Sequence, residues 1–198
     1  MSRAPGKPAA GPVTDGRRRR GLDNRAKIVA ALMEIVHSGE VAPSAEQVAA
    51  RADVGLRTVF RHFQDMDSLY SEVSALMQRE FYAVAGRPFK AKDWRGRVIE
   101  LIDRRSSIFE RLAPYLRASA VTRHRSPFLA ANHARLVTAA REILKAQLPA
   151  EVARDQVTLE ALDLLLSFET WTRLRDDQGL TPKRAREVIE AAVRKLIE

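Results

Sequence analysis

Leu56, Arg57, Phe60 and Arg61 recur at a spacing that puts them on one side of a helix. Two guanidinium groups beside two apolar side chains are equipped for recognition rather than for breaking bonds. They donate hydrogen bonds to base edges and phosphates, and an outward helical face of this kind suits a DNA major groove. Val59 and Phe63, four apart on the other side of the same segment, are spaced for a core.

The surrounding stretch, SAEQVAARADVGLRTVFRHF at 44–63, supplies the elements that would hold this face in place. Ser44 is an N-cap residue, and Gln47 stands three positions on, where a capping box needs Glu or Gln. Val48 and Ala52 share one face of a first short helix. Ala49 is small enough for two helices to cross over it. Asp53, four residues later, tolerates the left-handed backbone that a tight turn requires. Val54 and Val59 can then pin the second helix against the first. The pattern is that of a helix-turn-helix; the same spacing also serves an ordinary αα-hairpin with a solvated basic face.

Little else in the chain points to chemistry. His124 and His133 are nine residues apart, and no H-x-x-x-H, G-x-S-x-G, Walker or G-x-G-x-x-G element occurs. The acidic residues read as helix caps and solvated faces. We expect no enzyme, no metal and no cofactor. The absence of cysteine removes disulfides, zinc-thiolate sites and thiol catalysis, and fits a reducing compartment. No apolar run approaches the roughly 20 residues of a membrane span, and the N-terminus lacks the apolar core of a signal peptide. A cytoplasmic chain with no membrane partner is expected.

The formal net charge is +9, and residues 1–25 hold seven Lys or Arg against Asp15 and Asp23. Over half of the positive excess therefore lies there, which favours a nucleic-acid partner. Residues 1–21 are rich in Pro and Gly and poor in large apolar groups, so they read as a disordered basic arm. Arg17, Arg18, Arg19 and Arg20 within it are placed to meet phosphates or a minor groove; the alternative is a solubilising tail.

The remaining pattern is helical throughout, giving an all-α chain of about nine helices. Helices are predicted over about 23–37, for the pair in 44–63, and over 66–85, the last capped by Asp65. Others follow over 93–112, 114–122 opened by Pro114, 127–148, 155–176 and from Pro182 to near the end. Residues 22–65 form the first domain. Residues 66–198 form a helical bundle, with 66–85 as the connector. The 155–176 segment is apolar nearly all round (Val157, Leu159, Leu162, Leu164 to Leu166, Phe168, Trp171), so it needs cover on more than one side. A second subunit, docked through the last two helices, is the expected cover.

Residues 23–81 resemble the TetR family of transcriptional regulators. ADVGLRTVFRHFQDMDSLY is similar to that family's turn, its T-[LIV]-[YF]-x-[HY]-F run and the helix opening that follows, with Thr58, Phe60, His62 and Phe63 all matching. Beyond residue 81 the likeness is one of architecture. Gly55 stands where the family often has Ser, Phe60 where Tyr is common, and Met66 where Lys is frequent.

The resemblance implies a sequence-specific DNA-binding regulator, a ligand-responsive repressor acting as a homodimer on a palindromic operator in double-stranded DNA. Ser44, Thr58 and His62 would contact the DNA backbone, with His62 alternatively an interfacial histidine packing the three-helix unit, and Leu56, Arg57, Phe60 and Arg61 would face the groove. Arg57 would read a base, because a guanidinium can bond guanine O6 and N7 together. The family's C-terminal cavity takes a small-molecule effector. The apolar cluster Phe109, Leu112, Leu116, Phe128, Leu136, Phe168 and Trp171, with His133 as a polar handle, would line it and suit an apolar or aromatic ligand; each of these residues also fits plain core packing. The rival reading is a dimeric helical adaptor that binds nucleic acid without sequence preference.

Overall fold

The computed structural model describes residues 13–198, with side chains from Gly21 onward. Ten α-helices follow in order: α1 (Val13–His37), α2 (Ala45–Arg51), α3 (Leu56–His62), α4 (Met66–Ala85), α5 (Trp94–Thr122), α6 (Pro127–Lys145), α7 (Ala150–Arg154), α8 (Gln156–Leu165), α9 (Phe168–Thr172) and α10 (Pro182–Ile197). A π-helical turn, Arg173–Asp177, extends α9. No strand occurs among the described residues. No described helix is long and apolar enough to cross a membrane.

Two apolar clusters organise these helices. In the first, Ile28, Leu32 and Ile35 of α1 meet Val48 and Ala49 of α2, Val59 and Phe63 at α3, and Leu69 and Val73 of α4. Burying each large aliphatic side chain contributes about 1.5–3 kcal/mol, which the seven-residue helices α2 and α3 could not supply from backbone hydrogen bonds alone. The second cluster joins Val98 and Ile102 of α5, Leu144 of α6, Leu159 and Leu162 of α8, Trp171 of α9, and Ile189 and Val193 of α10. Between them lies a small patch of Val84, Ile108 and Leu112. The first cluster also takes in Ala118 of α5, so the N-terminal unit is packed directly onto the long helix of the C-terminal one.

Polar contacts reinforce that junction. Thr122 Oγ1 at the end of α5 donates to the Val41 carbonyl at 3.1 Å. Asp67 in the first turn of α4 accepts from Ser126 Oγ at 2.5 Å and from the Phe128 N–H at 3.3 Å. Ser126 is buried and in turn caps α6, its Oγ accepting from the Leu129 N–H at 3.0 Å.

Four boundaries differ from the sequence-based expectation. Helix α1 begins at Val13 rather than near Asp23, so Arg17–Arg20 and Gly21 continue the helix instead of an extended arm. Arginine has good helix propensity, and no proline follows Pro12 in this stretch. The rest of the expected arm, residues 1–12, lies outside the described residues. Residues 94–122 form one helix with Pro114 inside it, not two. A proline there forfeits one hydrogen bond at a cost of about 3 kcal/mol, but the buried stripe of Leu101, Ile108, Leu112 and Ala118 runs through it and outweighs that loss.

The expected helix over 155–176 is instead divided at Leu166 and Ser167. Ser167 caps a new helix, its Oγ accepting from the Thr170 N–H at 3.1 Å. The carbonyls freed by the break find side-chain donors: Thr170 Oγ1 bonds Leu164 at 2.6 Å, and Arg105 bonds Leu166 at 3.0 Å. Finally, α6 stops at Lys145, and a short α7 opened by Pro149 fills a stretch that carried no predicted helix.

The turn between α2 and α3 has the expected backbone. Asp53 is the one non-glycine residue with positive φ among those described, at 52°. Glycine adopts this region without the Cβ clash. Asp53→Gly should therefore leave stability unchanged or raise it by up to about 1 kcal/mol, whereas Asp53→Val should lower it by about 1–2 kcal/mol. Urea unfolding of the three chains checks this.

Candidate nucleic-acid interface and ligand cavity

The outward face of α3 depends on local bonds in α2 and the turn. The Ser44 N–H donates to Gln47 Oε1 at 2.7 Å, and the Gln47 N–H donates back to Ser44 Oγ at 3.3 Å, which completes the capping box. Val54 N–H bonds the Ala49 carbonyl at 3.0 Å and so folds the chain back over the small residue. Gly55 caps α3 with no side-chain bond, and the Thr58 N–H meets its carbonyl at 2.7 Å.

With Val59 and Phe63 buried, Leu56, Arg57, Phe60 and Arg61 are all exposed on the free side of α3. Phe60 is 46% exposed and gives this basic face an apolar centre. Thr58 is half-buried, and Ser44 is exposed at the start of α2. Arg17–Arg20 lie on α1, with side chains outside those described.

His62 sits differently from a free phosphate contact. It is half-buried, and its Nε2 is enclosed with no hydrogen-bond partner. Protonation would bury an unpaired N–H bearing charge. Burial, then the nearby Arg61 and Arg25 cations, hold its pKa below the usual histidine value.

Arg25 is the residue that sequence reading passed over here. From α1 it donates to the His62 carbonyl at 2.8 Å, pairs with Glu72 of α4, and lies over the Phe63 ring with its guanidinium carbon 4.3 Å from the centroid. A signal was available: Arg25 falls in register with Ile28, Val29 and Leu32, on the buried stripe of α1.

Below the N-terminal unit of α1–α3, the head, is a cavity of about 270 Å³. It extends from Leu32, Val36 and Val41 beneath the head, between α4, α5 and α6, to the break between α8 and α9. Of the residues anticipated as a ligand lining, Phe109, Leu112, Leu116, His133, Leu136 and Phe168 border it. Phe128 and Trp171 do not. Trp171 is 2% exposed and belongs to the C-terminal core, its Nε1 donating to Glu110 at 2.9 Å. Phe128 stands at the first turn of α6, where its backbone is held by Asp67.

Polar groups that the sequence did not single out also border the cavity. Gln78 Nε2 donates to Asn132 Oδ1 at 2.7 Å, with Asn132 buried on α6. Arg105, 8% exposed, points its guanidinium at the far end, and burial lowers its pKa to about 10 against a weaker opposing pull from Asp163. It thus remains charged at neutral pH. Burial likewise lowers the pKa of His133, assisted by Arg123 and opposed by Glu169. Among the described residues, no group of three His, Asp or Glu is arranged to hold a metal ion. The chain matches no protein-family model and no curated sequence.

Both histidines favour the neutral form in the folded chain. Between their folded pKa and the ordinary 6.5, the unfolded chain binds more protons than the folded one. Their contribution to stability is intact above pH 6.5 and declines as pH falls through that window. Proton NMR titration should place the midpoints of His62 and His133 below 6.5; a midpoint above it for His62 would mean that Nε2 is open to solvent or paired.

Proposed function

We propose that this chain is a sequence-specific, DNA-binding transcriptional regulator of the TetR type, homodimeric and responsive to a small molecule. The observation that carries this reading is the free face of α3. Arg57 and Arg61 stand out to solvent beside an exposed Phe60, on a helix fixed by a left-handed turn at Asp53 and by packing on α1, α2 and α4. Such a face can enter a major groove, with Arg57 forking to a guanine and Ser44 and Thr58 steadying the phosphate backbone.

Two heads are needed to read a palindrome, with centres about 34 Å apart. A second subunit would supply the other. Val157 and Leu164 on α8 are 80% and 64% exposed, and Val188 and Leu196 on α10 are also exposed, on helices that pack against each other. An apolar face of this kind suits a homodimer interface. The cavity beneath the head suits an effector, because its lining includes α1, α4 and the loop at Val41. A ligand that prefers one setting of these elements would shift the spacing of the two heads.

Selection from random duplex DNA at about 150 mM salt, which suppresses weak phosphate attraction, should enrich a palindrome. Arg57→Ala should weaken binding by about 1–3 kcal/mol and relax preference at one position in each half-site. Binding that carries no motif and vanishes as salt rises would instead indicate a helical adaptor with a sequence-blind basic face. Sedimentation should give a dimer for the unaltered chain, and Leu164→Glu should shift it toward monomer.

A further inference from the structure

The far end of the cavity is defined by a buried cation with unused donors. Arg105 Nη1 donates to the Leu166 carbonyl at 3.0 Å, and Nη2 donates to the Ala140 carbonyl at 2.6 Å. A guanidinium has five N–H groups, and these bonds use two. Asp163, the nearest carboxylate, is 4.0 Å from Nη1, beyond hydrogen-bond reach. That carboxylate is also bonded by Arg141 at 3.2 Å, which draws its charge away from Arg105. Arg105, Ala140, Asp163 and Leu166 all border the cavity, which brings the guanidinium and both of its carbonyl partners to the lining.

Both Nη atoms have a carbonyl partner, but a buried charge with no carboxylate in hydrogen-bond contact is costly. A ligand carboxylate would relieve that cost, since its two oxygens match the guanidinium fork. The neighbouring wall sets the rest of the molecule. Phe109 and Phe168 meet edge to face with centroids 5.4 Å apart, and Leu112 and Leu116 continue the apolar lining along α5. We infer that the cavity takes an apolar monoanion, an aromatic or acyl carboxylate, with its carboxylate on Arg105 and its body along Phe109 and Phe168. This rests on the cavity being a ligand site and names the class of ligand. Asp163 and Glu169 also border the cavity, so the discrimination is local to Arg105: there an apolar amine meets a like charge, and a neutral alcohol makes only the weaker uncharged bonds.

Three probes of one ring system separate these classes: naphthoate, naphthol and naphthylmethylammonium, titrated by calorimetry into the full chain without DNA at pH 7.5. Naphthoate should bind on the order of tenfold more tightly than naphthol, the scale of one charge-assisted pair, and the ammonium more weakly still. Arg105→Gln keeps an amide donor for the carbonyls and removes the charge, so it should erase the preference for naphthoate while leaving naphthol unchanged. If that variant fails to fold, the three-probe comparison on the unaltered chain decides. Equal or tighter binding of naphthol or the ammonium overturns the inference, as does no binding by any probe. A carboxylate preference that survives Arg105→Gln also overturns it, because the anion then sits elsewhere. None of these outcomes involves DNA, so the inference can fail while a DNA palindrome is still selected, and the reverse.

Discussion

The Arg25 side chain is the polar contact that ties α3 to both α1 and α4. A seven-residue helix has too few internal hydrogen bonds to be stable alone, so its orientation is set by what it leans on. Arg25 meets the end of α3 at the His62 carbonyl, the second turn of α4 through Glu72, and the Phe63 ring between them. One side chain thereby fixes the angle between α1, α3 and the connector helix. The apolar cluster supplies the bulk of the energy, but it is non-directional. The planar guanidinium, with its fixed fork and stacking face, supplies direction.

A parallel arrangement occurs in the C-terminal unit. Arg105 on α5 reaches carbonyls of α6 and of the α8–α9 break, so a second arginine, this one buried, fastens three elements from one. The cavity lies between these two anchored regions. Its upper wall is the underside of the head and its lower wall is the broken helix. Thr122 on Val41 and Asp67 on Ser126 are the polar ties across the junction. Any molecule in the cavity would touch elements held by these ties, which gives a short physical route between ligand and head.

Much of the head was legible in the sequence because its signals are local. Ser44 with Gln47, Ala49 with Asp53, and Val59 with Phe63 act within a few residues of one another, and each is found as the spacing predicted. The helical class was legible for the same reason. Helix continuity was harder to read, because distant packing decided it. Pro114 looks like a boundary until the stripe on either side of it is seen to share one core, and Ser167 looks like one polar residue in a helix until Arg105 arrives to take the Leu166 carbonyl. The two arginines carried a signal of their own, a charge standing in an apolar stripe. Their partners, Glu72 and the carbonyls of His62, Ala140 and Leu166, are remote in sequence, so periodicity alone could not name them. Of the anticipated ligand lining, Trp171 lies off the cavity because an aromatic at helical spacing can serve a cavity or a core, and its ring packs in the C-terminal core while its N–H reaches the exposed Glu110.

As a ligand site, the cavity would also bear on how long each molecule survives in a cell. A ligand seated in the cavity of about 270 Å³ would add packing contacts to the side chains that line it. A molecule that binds only the folded form adds stability by mass action, about 2.7 kcal/mol at a hundredfold excess over its dissociation constant. Proteolysis samples the unfolded fraction, so the abundance of such a protein would rise and fall with its ligand on the timescale of turnover. Occupancy would then set the number of molecules present as well as their state.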